Sequence, residues 1–282
     1  MSQKVRRKSR LTLIVVAALV AVPALLFASH SWGGYHWART SNPFTLKTID
    51  SVTAAWDSYL DTSIVDWSKS TVLNLAEEAG NSTSKTTRRC SAPTGKVRVC
   101  NLTYGNNGWL GIAGISITGG THITKGYVKL NDTYYNTSTY NTSAWRNLVM
   151  CQEIGHTLGL DHQDEEFDNA NLGTCMDYTS NPGTNQHPNA HDYAQLEAIY
   201  AHLDSTTTVA AGLPSSSKAD GAFAVVDQLD QDHPAAWGRL VKRSKGGGTE
   251  IYELDLGGGK KQVTFVVWTL EEAAKRRGPQ QD

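Results

Sequence analysis

The sequence predicts an α+β fold built around one main domain. Two observations carry this: strand-like patterning at residues 71–75, 96–104, 108–118 and 125–130, and helical spacing of apolar residues at 50–60, 144–158 and 189–203. A third is composition. With 282 residues, 39% hydrophobic and 19% charged, the chain can bury an ample core, which excludes a disordered chain, a collagen-like fibre and a multi-span membrane protein. A formal net charge of −1 speaks against a general nucleic-acid binder.

Taken in order, residues 1–10 carry five positive charges (Lys4, Arg6, Arg7, Lys8, Arg10) and no acid, and residues 11–28 form an uncharged apolar run. A basic stretch before an apolar one reads as a secretory signal. At 18 residues the run also lies near the lower limit for a spanning helix, so an N-terminal anchor with a cytoplasmic basic flank stays open. Either way, the rest of the chain is expected outside the cytoplasm. Residues 11–214 carry 11 basic and 17 acidic side chains, a mildly acidic body.

In residues 50–60, Val52, Ala55, Trp56, Tyr59 and Leu60 share one helical face. Residues 71–75 and 96–104 alternate as strands do, and the glycine-containing run GWLGIAGISIT at 108–118 reads as a strand at a sheet edge or bulge. Ser143 can N-cap a helix over 144–158, with Gly159 to end it. Residues 189–203 read as a second amphipathic helix, with Tyr193, Leu196, Ile199, Tyr200 and Leu203 on one face. Residues 205–220 are rich in Ser, Thr and Ala and read as a linker. Residues 221–282 hold two β-like runs, 250–256 and 262–268, joined by GGGKK. They suggest a small hairpin appendage or a partly disordered tail, since a lone hairpin is barely stable.

Four cysteines in an exported chain favour disulfides, and three pairings are possible. The short loop between Cys90 and Cys100 favours joining those two. Five N-x-S/T sequons (Asn81, Asn101, Asn131, Asn136, Asn141) would matter only in a eukaryotic secretory pathway.

The chemistry concentrates at residues 151–178, CQEIGHTLGLDHQDEEFDNANLGTCMDY. On a helix, Gln152 and His156 lie about 40° apart and so face one side, where two donors can grip one metal ion. Glu153 lies about 100° from Gln152, beside that ion, where a carboxylate can take a proton from a water. Gly159 permits a sharp turn that returns His162 to the same point.

This pattern resembles the metzincin signature H-E-x-x-H-x-x-G-x-x-H followed by a Met-turn. Glu153, His156, Gly159 and His162 fall at the family's spacings, Met176 follows at a Met-turn distance, and Tyr178 matches Met-x-Tyr. Over about residues 35–204 the resemblance implies a matrixin-like domain: a twisted, mostly parallel sheet with an antiparallel edge strand, an active-site helix, a Met-turn and a C-terminal helix. It implies one catalytic Zn2+ held by Gln152, His156 and His162, with Glu153 as general base and Tyr178 stabilising the oxyanion of a peptide bond under hydrolysis. It further implies a Cys151–Cys175 disulfide stapling the metal helix to the Met-turn, and an extended polypeptide substrate added as a strand near 111–117. Family members often carry Ca2+, for which Asp164, Glu165, Glu166 and Asp168 are candidates. A secreted monomer is expected, with membrane contact only through an uncleaved residue 11–28 segment.

One position departs from the family: residue 152 is Gln where the signature has His. Gln offers only a carbonyl oxygen, a weaker donor to zinc than imidazole. Three readings stay open. Gln152 ligates through oxygen, or His187 or His191 substitutes for it, or the metal is lost and the fold is a pseudoprotease that binds peptides or surfaces. His36, His122, His202 and His233 read as solvated or structural.

Overall fold

The computed structural model describes residues 30–167, 169–210 and 221–277. The expected signal or anchor at 1–28, most of the 205–220 linker, Asp168 and the last five residues lie outside these.

The first half of the chain builds the expected mostly parallel sheet. Its strands are β1 (His36–Trp37), β2 (Phe44–Ser51), β3 (Leu73–Ala79), β4 (Lys96–Leu102), β5 (Trp109–Thr118) and β6 (His122–Asn131). β3, β2, β4 and β6 run parallel in that order, β1 pairs parallel with β6, and β5 is antiparallel to β6. Helices α1 (Asp57–Trp67), α2 (Ser84–Arg89), α3 (Asp132–Tyr135), α4 (Ser143–Thr157) and α5 (Ala190–Ile199) complete this part. β5 is buried at every position but its last, as a near-continuous apolar run requires when both faces are covered.

Local departures have local causes. The helix expected at 50–60 begins only at Asp57, because Phe44–Ser51 is claimed by pairing with both β3 and β4. The N-cap of α4 is Thr142, one residue before Ser143, and its Oγ1 accepts from the Trp145 amide. α5 opens with an Asn189–Asp192 capping box and ends at Ile199. Asn101 and Asn131 are buried and hydrogen-bonded, which removes two sequons from the surface.

The larger departure is the C-terminal segment. It holds α6 (Gly221–Val226), β7 (Arg239–Arg243), β8 (Thr249–Gly257), β9 (Lys260–Trp268) and α7 (Leu270–Arg276). The expected hairpin is β8–β9, turning through glycines 257–259, all at positive φ. It is no free appendage. β9 pairs antiparallel with β5 from Trp109↔Trp268 to Ile117↔Lys261, so the sheet continues as β6-β5-β9-β8-β7. β5, expected at an edge, is therefore interior.

Alternation along β9 divides its side chains between two cores. Val263, Phe265 and Val267 join the main core under α4, while Val266 and Trp268 join a cluster of Trp109, Ile112, Tyr127 and Trp237 on the opposite face. Among the described residues no helix is long and apolar enough to cross a membrane.

Candidate metal centre and active site

α4 carries Gln152, Glu153 and His156, and the residues after it carry His162. Three features seat this segment. Gly159 adopts φ +97°, and a Cβ there would lie 2.1 Å from the Tyr35 carbonyl oxygen, so the turn after α4 needs glycine. A Cβ at Gly155 would lie 2.6 Å from Met176 Sδ, which brings the methionine directly under the helix. The Cys151–Cys175 disulfide joins helix to turn, and Cys90–Cys100 forms as well; no cysteine is free.

Every candidate donor is oriented by its second polar atom. Gln152 Nε2 donates to the Cys175 carbonyl at 2.8 Å and leaves Oε1 buried without a partner. His156 Nδ1 donates to the Leu160 carbonyl at 2.9 Å and leaves Nε2 bare. Burial, reinforced by the neighbouring His162, pushes the His156 pKa down to about 3, so its ring is neutral. His162 Nδ1 faces Asp161 at 3.6 Å and Glu165 at 3.4 Å, and its Nε2 has no hydrogen-bond partner. Burial opposes protonation of His162, but the two carboxylates outweigh it and lift the pKa to about 9. The two histidine rings meet edge to face, 4.6 Å between centroids.

Buried polar atoms left bare are rare in folded proteins, and three on one short segment call for a shared partner, which at His162 would displace a proton. Tying the far nitrogen of a histidine to a carbonyl or carboxylate is how proteins aim metal ligands. The set Gln152 Oε1, His156 Nε2 and His162 Nε2 therefore fits a zinc ion. His187 is engaged by Asp66 at 2.6 Å, and His191 stacks on His30.

Glu153 is fully buried, and neither carboxylate oxygen has a hydrogen-bond partner. Burial raises its pKa well above the carboxylate range, against the pull of His162 and the Ala113 amide. It lies against β5: a Cβ at Gly111 would approach Glu153 Oε1 to 2.6 Å. The Tyr178 hydroxyl is likewise buried and unpartnered, its ring tilted against Phe167 at 4.8 Å. The acidic loop has partners within the chain: Asp164 accepts from the Glu166 amide and from Asn169, Glu165 meets Lys242, and Glu166 meets Lys245. Nothing among the described residues of this loop calls for Ca2+.

No family model matches this chain, and no curated protein matches it. Among solved structures, one of myroilysin shares 13% identity at a TM-score of 0.33, over 58% of this chain and 82% of that one. Another, of high choriolytic enzyme 1, a hatching-enzyme zinc-protease from the medaka Oryzias latipes, shares 10% identity at a TM-score of 0.33, over 59% and 94%.

The residues that sequence reading missed come from the C-terminal segment and close over this centre. Phe265 of β9 lies opposite Ala113 in the ladder and stacks flat on His156, 4.3 Å between centroids with the planes 7° apart. Lys242 of β7 pairs with Asp161 at 2.8 Å and Glu165 at 3.0 Å, the two carboxylates that face His162. The turn before β8 approaches Tyr178 so closely that only glycine fits at Gly248, where a Cβ would overlap the ring at 1.8 Å. No local pattern announces these contacts, because each partner lies 70 or more residues away in sequence. Asp161 beside His162 was the one visible hint.

Proposed function

We propose that the chain is a zinc-dependent endopeptidase of metzincin type, held latent by its own C-terminal strand. The observation that carries this reading is the set of buried polar atoms without a hydrogen-bond partner on one segment, Gln152 Oε1, His156 Nε2 and His162 Nε2, with the two histidine rings 4.6 Å apart. Zinc bound by these three would polarise a scissile carbonyl and acidify a water.

The chain's own residues supply the rest. Glu153, raised in pKa by burial, accepts the water's proton and returns it to the leaving nitrogen. The Tyr178 hydroxyl, neutral and unpartnered, is a donor for the developing oxyanion once Gly248 moves off its ring. β5 offers its backbone to an extended polypeptide, as it already does to β9. Secretion, through cleavage or retention of residues 11–28, belongs to the same reading, as does a monomeric state.

β9 lies where such a substrate strand would lie, and Phe265 fills the space over His156. Activity is therefore expected to be low in the intact chain and to rise when this contact is loosened. The test compares the full chain, Phe265→Glu and Phe265→Glu/Glu153→Ala for casein hydrolysis, with zinc content measured in each. Expected are chelator-sensitive cleavage in Phe265→Glu, much less in the intact chain, and none in the double variant with its zinc retained. Zinc bound without cleavage in any form would leave the second reading, a pseudoprotease whose groove binds extended strands; the β5–β9 ladder favours it specifically. Cleavage surviving Glu153→Ala would remove Glu153 from the base role.

A further inference from the structure

On the far side of β6 from β5, four side chains distant in sequence meet. β1 pairs with β6 so that His36 lies directly opposite His122. The chain leaving α5 returns to residues 38 and 39, where the Asp204 amide donates to the Arg39 carbonyl at 2.9 Å, and this brings His202 and Asp204 to the same point. Asp204 Oδ1 then lies 3.2 Å from His122 Nε2, 3.5 Å from His36 Nε2 and 3.8 Å from His202 Nε2. His36 Nε2 and His202 Nε2 are 3.1 Å apart.

We propose that His36, His122, His202 and Asp204 form a second zinc site, separate from the centre on α4. The four spacings above, 3.1–3.8 Å, bracket the roughly 3.3–3.6 Å that bonds of about 2.0–2.2 Å set between tetrahedral ligands, and His36, His122 and Asp204 offer ligand atoms all within 4.8 Å of one another. The rings stand nearly perpendicular, 80° between His36 and His122 and 87° between His36 and His202, as separate ligands of one ion can.

The surrounding contacts orient the donors. His36 Nδ1 donates to the Gly34 carbonyl at 2.9 Å, which in the neutral ring leaves Nε2 as an acceptor facing a carboxylate oxygen. His202 Nε2 is within hydrogen-bond distance of His36 Nε2 at 3.1 Å, and a cation at this point would displace the proton between them and bridge the facing acceptors. Arg39, itself buried, holds the other side of Asp204. Its Nη1 donates to Oδ2 at 2.9 Å, its backbone amide to Oδ2 at 3.2 Å, and its Nη2 to the His202 carbonyl. Oδ1 is thereby turned toward the three imidazoles. His202 and His122 remain 52% and 30% exposed, so an ion can enter from solvent.

Two other clusters of metal-type side chains have different explanations. Asp161, His162 and Glu165 belong to the centre already described. In His30, His191 and Asp192, the donors are engaged elsewhere: the Thr174 hydroxyl and the Asn189 amide donate to Asp192 Oδ2, and His30 Nδ1 pairs with the Asp161 carbonyl.

Zinc at this point would tie β1, the start of β6 and the segment after α5 together. The test measures zinc by ICP-MS on the zinc-loaded, desalted full chain, His156→Ala, His122→Asn/His202→Asn, and the combination of all three. Expected are about two zincs per chain, then about one, about one and none. One zinc in the full chain that disappears in His122→Asn/His202→Asn would uphold this site while removing the one on α4. Equal zinc in the full chain and His122→Asn/His202→Asn would overturn the proposal. His202→Ala serves where the double variant does not fold, since its side chain is half exposed. A competing chromophoric chelator should then read at least a tenfold weaker zinc affinity at this site with an unchanged circular dichroism spectrum, and an unchanged affinity would overturn the proposal.

Discussion

The two faces of the β5–β9 ladder are built differently. On the face away from α4, the C-terminal segment is locked by charge and by aromatic packing. Lys129 and Asp232 form a buried ion pair at 2.6 Å, and Lys129 also donates to the Arg88 carbonyl. Glu250 accepts from Tyr252, Trp268 Nε1 and Arg276, while the Arg276 guanidinium lies 3.6 Å over the Trp268 ring. On the face toward α4, Val263 and Val267 join the main core, while the contacts to the centre itself are one phenylalanine stacked on His156 and one partly exposed lysine paired with Asp161 and Glu165. One face anchors the segment and the other covers the centre. Changes to the anchoring face should therefore move stability and activity together, and changes to the covering face should move activity more than stability.

The largest expected effect is on the anchoring face. Asp232→Ala leaves the Lys129 ammonium buried and unpaired, a loss of about 3–5 kcal/mol in urea unfolding. Lys129→Met/Asp232→Leu, which removes both charges, should recover most of it. The contrast between the faces breaks if Asp232→Ala costs less than about 1 kcal/mol, the ordinary value of an exposed pair.

A smaller effect concerns the floor beneath the metal helix. Asp192 Oδ2 accepts from the Thr174 hydroxyl and the Asn189 amide, while Oδ1 faces His30. Burial raises its pKa from 3.8 to about 6. The folded state then holds a proton that the unfolded chain releases between those values, so stability falls as pH rises through that window, by up to about 3 kcal/mol. Asp192→Asn keeps the accepting oxygen and adds a donor toward His30. It should be the more stable protein at pH 8 and lose that advantage below about pH 4. Parallel unfolding curves across the range would show that Asp192 does not titrate in this way.

The legibility of these features in the sequence follows the distance between the residues that make them. The metal helix was readable because its spacing is local: Gln152 and His156 share a face, Gly159 breaks the helix, and His162 follows within one turn of chain. Strands β3 to β6 were readable one by one, but β1 and β2 were not, and the last two residues of β2 fall within the span that reads as a helix. The β5–β9 pairing was not readable, because its register joins residues about 150 apart and β9 carries the pattern of any amphipathic strand. The cluster of His36, His122, His202 and Asp204 was hidden for the same reason. Each histidine alone is unremarkable, and only the β1–β6 register and the return of the chain after α5 bring them together.

The smallest structural change gives the sharpest reading of the covering face. Phe265→Leu retains most of the buried volume but loses the flat stack on His156. Such exchanges cost about 1 kcal/mol, the size of an aromatic pairing. The back of the ladder is untouched, since Val266 and Trp268 point the other way. β9 should therefore stay paired while the ring stacked on the face of His156 is replaced by a smaller, non-planar group. Zinc affinity, read by chelator competition, is expected to rise at the α4 centre, and casein hydrolysis to rise from its low intact-chain value, with the unfolding midpoint nearly unchanged. A lower midpoint with no gain in either would mean that Phe265 is core packing alone, and that latency rests on the whole paired strand rather than on the side chain over the histidine.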